Sequence, residues 1–122
     1  RALVLPVSVP SHCSLMTDAA QEFAESVDMV NFTIGNVDVL HNVDASIAED
    51  VNEIKSKLVE QLHKPVLWTT SVQKMQQLGI EKIVELGPGK VLAGLTRRID
   101  RSLSASAVID TTTLHSTIEE IR

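Results

Sequence analysis

Tyrosine is absent from this 122-residue chain, and Phe23, Phe32 and Trp68 are its only aromatic rings. Platforms that stack single-stranded bases are built from such rings, so none is expected. No basic run compensates, because the formal net charge is -5 and phosphate-backbone binding draws on clustered Lys and Arg. Nucleic acid is not an expected partner. Cysteine occurs once, at Cys13, which rules out an intrachain disulfide, leaves a Cys/His zinc site unsupported and fits a reducing, cytoplasmic setting. No apolar stretch approaches the ~18 residues of a membrane helix, and no signal segment opens the chain, so a soluble protein without a membrane partner is expected.

Two catalytic signatures are missing as well. A Gly-x-Ser-x-Gly elbow, which exposes an attacking serine oxygen between strand and helix, occurs nowhere. Gly87-Pro88-Gly89-Lys90 invites comparison with phosphate loops, but Val84, Val91 and Leu92 stand where a Walker or dinucleotide loop needs Gly, Ser/Thr and Gly. The segment is read as a structural turn from strand to helix.

What remains is the balance of an ordinary globular domain, 43% hydrophobic and 22% charged. Residues 3–9 are aliphatic and β-branched, and Pro10 ends that strand-like run. Leu15, Met16, Ala19, Ala20, Phe23, Ala24 and Val27 recur at helical spacing over about 14–27. Residues 37–42 read as a second strand. Val51, Ile54, Leu58 and Leu62 share a helical face over 49–62, which Pro65 brings to an end. A further helix carries Trp68, Val72, Met75 and Leu78, and Gly79 is placed to end it in the left-handed conformation. Residues 82–86 and 105–110 read as third and fourth strands, with a short helix through Val91, Leu92, Leu95 and Ile99 between them and a last helix through Leu114, Ile118 and Ile121. This alternation predicts an α/β fold with a mostly parallel sheet and no linker between independent domains. The chain opens on Arg1 inside a strand-like run, without a methionine, and is read as a piece of something longer.

His12 falls in the turn between the first strand and the first helix, a place from which an imidazole can be presented rigidly as a general base. Taken locally, a helix-end or solvated residue with no chemistry is the commoner explanation of such a histidine. Ser8, Ser11 and Ser14 lie beside it without elbow geometry. His41, His63 and His115 sit on different elements without metal-ligand spacing, so they are read as surface or hydrogen-bonded histidines and no metal is expected. The acidic pairs Glu49-Asp50 and Glu119-Glu120 read as solvated faces. Arg97-Arg98 at a helix C-terminus opposes the negative end of the helix dipole, and its functional reading is a docking patch for an acidic partner.

Read together, VPSHCSLM at 9–16, VEQLHKPVLWTTSVQKM at 59–75 and VELGPGKVLAGLTRRI at 84–99 resemble the C-terminal part of bacterial malonyl-CoA:acyl carrier protein transacylases. The resemblance runs through essentially the whole chain. It implies a two-step transfer of a malonyl group from coenzyme A to a serine, then to the phosphopantetheine thiol of acyl carrier protein, in fatty acid biosynthesis. His12 matches the family's general base and acid, and Gln61 a glutamine whose backbone carbonyl accepts a hydrogen bond from that ring. A helix end before Pro65 would leave this carbonyl free to accept. Gly87, Pro88 and Gly89 match a structural turn, while Arg97 and Arg98 match a basic pair that would meet the acidic carrier protein. No cofactor is implied, since malonyl-CoA and the carrier phosphopantetheine are substrates.

The serine elbow, an oxyanion donor and the arginine for the malonyl carboxylate have no counterpart here, because the family places them upstream. The resemblance thus implies that an upstream segment of the same enzyme is a necessary partner and that this chain alone is inactive. It also implies a hydrolase-like α/β subdomain over 10–122, with 1–9 as the last strand of an inserted ferredoxin-like subdomain. Two other readings remain: a non-catalytic carrier-binding module on the same scaffold, and a hydrolase fragment with water as acceptor.

Overall fold

The computed structural model describes residues 2, 4 and 8–122, and these divide into two compact units, one ending at Leu67 and the other running from Trp68 to Arg122. The division falls in the extended stretch after Pro65, where the sequence shows no Gly/Ser linker and predicts a single unit. The strand expected over residues 3–9 lies mostly outside the described residues; Ser8 and Val9, which are described, are not part of a strand.

In the first unit a single 3-10 turn, Ser14–Met16, leads into α1, Thr17–Asp28. Of the predicted apolar stripe Ala20 and Val27 are buried whereas Leu15, Ala19 and Phe23 are exposed, and the helix packs against α2, Val51–Glu60. Asp50 sets the start of α2, two residues later than the spacing predicts, by accepting the Glu53 backbone N–H at 2.8 Å. The Glu53 carboxylate reaches back to the Glu49 N–H at 2.7 Å, so donors on both sides of the helix start are satisfied. Lys55 ties the two helices, donating to the Asp28 carbonyl at 3.1 Å and standing 5.8 Å over the Phe32 ring.

The second predicted strand is corrected. Only Leu40–His41 is a strand, β1, and it pairs antiparallel with an unpredicted β2, Ser46–Ile47. Val37 and Val39 are exposed. The reason is the turn that follows: the Asp44 carboxylate accepts from the Ser46 N–H at 3.1 Å and from its hydroxyl at 2.9 Å, folding the chain back on itself. Ala45 donates its N–H to the His41 carbonyl at 2.9 Å and takes the left-handed conformation at φ 56°, an uncommon state for a residue with a Cβ.

Lys57 locks this hairpin to α2. Its side chain is only 4% exposed, and its ammonium lies 2.8 Å from Glu53 and 3.1 Å from Asp44 while donating to the Ser46 hydroxyl. Burial pushes the ammonium down, but the two carboxylates outweigh it and the pKa is raised. Burial likewise pushes Asp44 up, and the Lys57 and Ser46 donors outweigh it and bring it down. Glu53 is lowered by Lys57 and by the Glu49 N–H. His41 is lowered by its own burial and by the nearby ammonium.

The second unit supports the α/β reading directly. β3, Lys82–Leu86, and β4, Ser104–Val108, pair in parallel over five rungs from Lys82↔Ser104 to Leu86↔Val108. Helix α4, Val91–Ile99, connects them, and α5, Thr111–Ile121, follows and packs on β4. Asp110, expected within the last strand, instead caps α5 in a reciprocal box with Thr113. The mostly parallel sheet therefore holds in this unit, while the hairpin of the first is antiparallel. Val72 of α3, Trp68–Gln77, is fully buried, alongside buried Ala93, Leu103 and Ala105.

Two glycines have opposite requirements. Gly79 ends α3 at φ 81°; its N–H bonds the Gln76 carbonyl and the Ile80 N–H bonds that of Met75, at 3.0 and 3.1 Å, the double closure of a left-handed cap. Gly94 lies inside α4, with open space of at least 4 Å around the place a Cβ would take. Gly79→Ala is expected to cost about 1–2 kcal/mol of stability, and Gly94→Ala to add about 0.5–1 kcal/mol, each read from chemical denaturation.

The Lys57 cluster sets a pH dependence. Below about pH 6.5 the unfolded chain protonates His41 before the folded one does, so stability falls as pH falls toward the lowered folded value. Asp44 and Glu53 stabilise above their unfolded values near about 4 and lose that contribution as pH falls through their lowered folded values. Lys57 stabilises below about 10.4 and loses its contribution as pH rises through its raised value. Thermal melts from pH 7 to 3 are expected to show a decline in two stages, and His41→Gln to remove the upper one. An unchanged slope between pH 6.5 and 5 in that variant would contradict the assignment.

Candidate functional site

His12 is held by backbone rather than by neighbouring side chains. It adopts φ 61°, a left-handed conformation that histidine tolerates better than most residues with a Cβ. Its backbone N–H donates to the Leu62 carbonyl at 3.0 Å, and its ring Nδ1 lies 2.6 Å from the Gln61 carbonyl oxygen. Both acceptors lie just past α2: Gln61 is its C-cap and Leu62 follows it, in a turn whose own N–H groups close on the Val59 and Glu60 carbonyls and leave these two free to accept. The hydrogen bond that the resemblance implies between His12 and Gln61 is thus present in the structure, and a second, from the His12 N–H to Leu62, accompanies it.

The geometry selects a tautomer. A carbonyl oxygen only accepts, so Nδ1 carries the hydrogen of this bond and the neutral ring keeps its lone pair on Nε2. His12 is exposed, and Nε2 has no partner among the described residues. The ring borders a depression of about 240 Å³ lined by Ser11, His12, Met16, Gln61 and Leu62. The turn itself is fixed locally: the Cys13 thiol donates to the Pro10 carbonyl at 3.1 Å, and Thr17 Oγ1 donates to the Ser14 carbonyl at 2.7 Å. A base with one nitrogen anchored and the other open can exchange a proton with a nucleophile brought to it. No serine or cysteine of this chain is hydrogen-bonded to His12 among the described residues.

The other singled-out residues lie elsewhere. Gly87 donates its N–H to the Val108 carbonyl at 3.4 Å, and the Glu85 carboxylate, from the strand before the Gly87-Pro88-Gly89 turn, accepts the Ala93 N–H at 2.8 Å. It supplies the cap that Lys90 does not provide, so a side chain already occupies the first turn of α4, where a phosphate would bind. Arg97 and Arg98 occupy the last turn of α4. Arg97 donates to the Ala105 carbonyl of β4, whereas Arg98 makes no hydrogen bond or ion pair among the described residues.

His115 is exposed. His41 and His63 are not the surface or hydrogen-bonded residues expected, since Nε2 of the first and Nδ1 of the second are buried without a partner among the described residues; the two-residue strand and the packed turn after α2 carry them inward. Among the described residues, no group of three His, Cys, Asp or Glu side chains could hold a metal ion, and no helix is long and apolar enough to cross a membrane. The Lys57 cluster and the Leu62 carbonyl are not foreseen by the sequence. The i, i+4 pair Glu53 and Lys57 is the one visible trace.

No family model matches the chain. It is 45% identical over 119 residues to the malonyl CoA-acyl carrier protein transacylase of Escherichia coli K12, covering 98% of this chain and 38% of that protein. To the protein of the same name from Bacillus subtilis it is 38% identical over 122 residues, again 38% of the relative. Among solved structures, an acyl carrier protein S-malonyltransferase from Vibrio cholerae aligns with a TM-score of 0.89 at 47% identity, over 96% of this chain and 38% of that one. A malonyl-transacylase in complex with its type II polyketide-synthase acyl-carrier protein aligns with a TM-score of 0.93 at 44% identity, over 98% and 39%. The chain spans less than two fifths of the length of these relatives. Over nearly all of its own length, it is homologous to the C-terminal portion of the malonyl CoA-acyl carrier protein transacylases.

Proposed function

We propose that this chain is the histidine-bearing part of a malonyl-CoA:acyl carrier protein acyltransferase acting in fatty acid biosynthesis in the cytoplasm. The observation that carries the reading is the His12 ring, anchored at Nδ1 by the Gln61 carbonyl at 2.6 Å with Nε2 open. A serine from an upstream segment of the same enzyme would give its proton to Nε2 as its oxygen attacks the malonyl thioester carbonyl. The imidazolium would return that proton to the leaving coenzyme A sulfur, leaving malonyl on the serine oxygen. In the second half the phosphopantetheine thiol gives its proton to Nε2, its sulfur attacks the serine ester, and the proton ends on the departing serine oxygen. The Gln61 carbonyl orients the ring throughout, the task of the carboxylate in other triads.

In this reading residues 10–122 belong to a larger hydrolase-like α/β subdomain, and residues 1–9 close a ferredoxin-like insertion. The chemistry needs no cofactor beyond the two thiol-bearing substrates. Supplying the upstream segment is expected to give malonyl transfer, and His12→Ala to lower its rate by about 10²–10⁴-fold. A rate unchanged in that variant would remove the general-base role.

Carrier docking is assigned to the α4 end, where Arg97 and Arg98 face an acidic partner. Arg98 is the freer of the two. Arg98→Glu is expected to raise KM for the carrier protein several-fold and to leave KM for malonyl-CoA unchanged, in steady-state assays of the assembled enzyme. A binding module without catalysis would show carrier binding, weakened by this variant, with no transfer at all.

A further inference from the structure

The carbonyls that hold His12 are bracketed by the β1–β2 hairpin. On the N-terminal side, the Gln61 N–H donates to the Lys57 carbonyl at 3.1 Å, so Lys57 lies one helical turn before the acceptor. Its buried ammonium grips Asp44 and Ser46 of the hairpin. On the C-terminal side, the Leu67 N–H donates to the Asn42 carbonyl of the same hairpin at 2.8 Å. The segment that carries Gln61 O and Leu62 O is therefore tied to the same hairpin at both ends.

Two further features bear on what this arrangement is for. Replacing a buried ion pair by apolar groups of similar volume is often neutral or favourable for stability, so the pair's better-attested contribution is to fix one geometry among several. The hairpin also holds Ala45 at φ 56°, between the two residues that Lys57 grips, and His12 is the only other described residue with a Cβ at positive φ. Such conformations persist where the surroundings over-determine them.

We propose that Lys57 is a positioning residue for the His12 base: bridging Asp44, Ser46 and Glu53, it fixes the end of α2 so that the Gln61 carbonyl meets Nδ1 and the ring is held as the Nδ1–H tautomer. Lys57 touches neither His12 nor the reacting atoms. It acts through one helical turn of backbone and one hydrogen bond. The inference rests on the general-base reading only for its effect on rate; the effect on the ring stands apart from it.

The test uses the assembled enzyme with 15N-labelled histidine. In Lys57→Met, the ring nitrogen shifts of neutral His12 are expected to move from a predominant Nδ1–H form toward the mixture of a free imidazole. The kcat for transfer should fall about tenfold at unchanged KM for malonyl-CoA, and Lys57→Arg should recover part of both. A folded Lys57→Met protein with an unaltered tautomer ratio would overturn the proposal, whatever its rate. A shifted ratio with full activity would instead overturn the general-base reading and leave the positioning role standing. If Lys57→Met does not fold, Asp44→Asn removes one arm of the bridge without burying a new group, and the same two outcomes apply.

Discussion

The pair of carbonyls just past the end of α2 is the constraint on which the first unit is organised. The last helical carbonyls, Val59 and Glu60, take N–H groups of the turn that follows, and the next two in the chain, Gln61 and Leu62, are given to a single distant residue. His12 supplies both a backbone and a ring N–H, and accepts a left-handed backbone in exchange. The ring bond joins residues 49 apart in sequence, so α1, the hairpin and α2 lie between the His12 ring and its anchor. Perturbations anywhere in that stretch have a route to the ring.

A backbone acceptor has a consequence that a carboxylate would not. Its position is set by the helix and not by a rotamer, and it carries no formal charge to neutralise. Substituting the Gln61 side chain leaves the acceptor in place, which is why residue identity at position 61 is a poor guide to the interaction. The anchor is protected from point substitution but exposed to anything that shifts or frays the end of α2.

Helices with clear apolar spacing are legible in the sequence because burial of Ala20, Val27 and Val72 follows the period directly. Strand 82–86 is legible as an aliphatic run after Gly79, whereas the reading of 105–110 overlaps the observed 104–108 and runs on into the Asp110 cap of α5. The hairpin is not. Its strands are two residues each, too short to show alternation, and the turn depends on Asp44 bonding forward to Ser46 and on an alanine in a conformation normally left to glycine. Legibility of the site is divided in the same way. His12 can be placed in its turn from Pro10 and the start of the helical pattern, and its pairing with Gln61 enters through the resemblance of ordered blocks. The Leu62 carbonyl and the Lys57 cluster arise from contacts across tens of residues, and composition or periodicity carries no trace of them beyond one i, i+4 charge pair.

The parallel pair in the second unit carries a different implication. Two parallel strands leave one edge of each without a partner among the described residues, and Leu86, Val91 and Leu92 at the head of this unit are exposed. Parallel strands ordinarily occur with both faces covered, and an open edge beside apolar side chains is a template for pairing with another molecule. The outer edges of β3 and β4 are therefore where a further stretch of chain would extend this sheet.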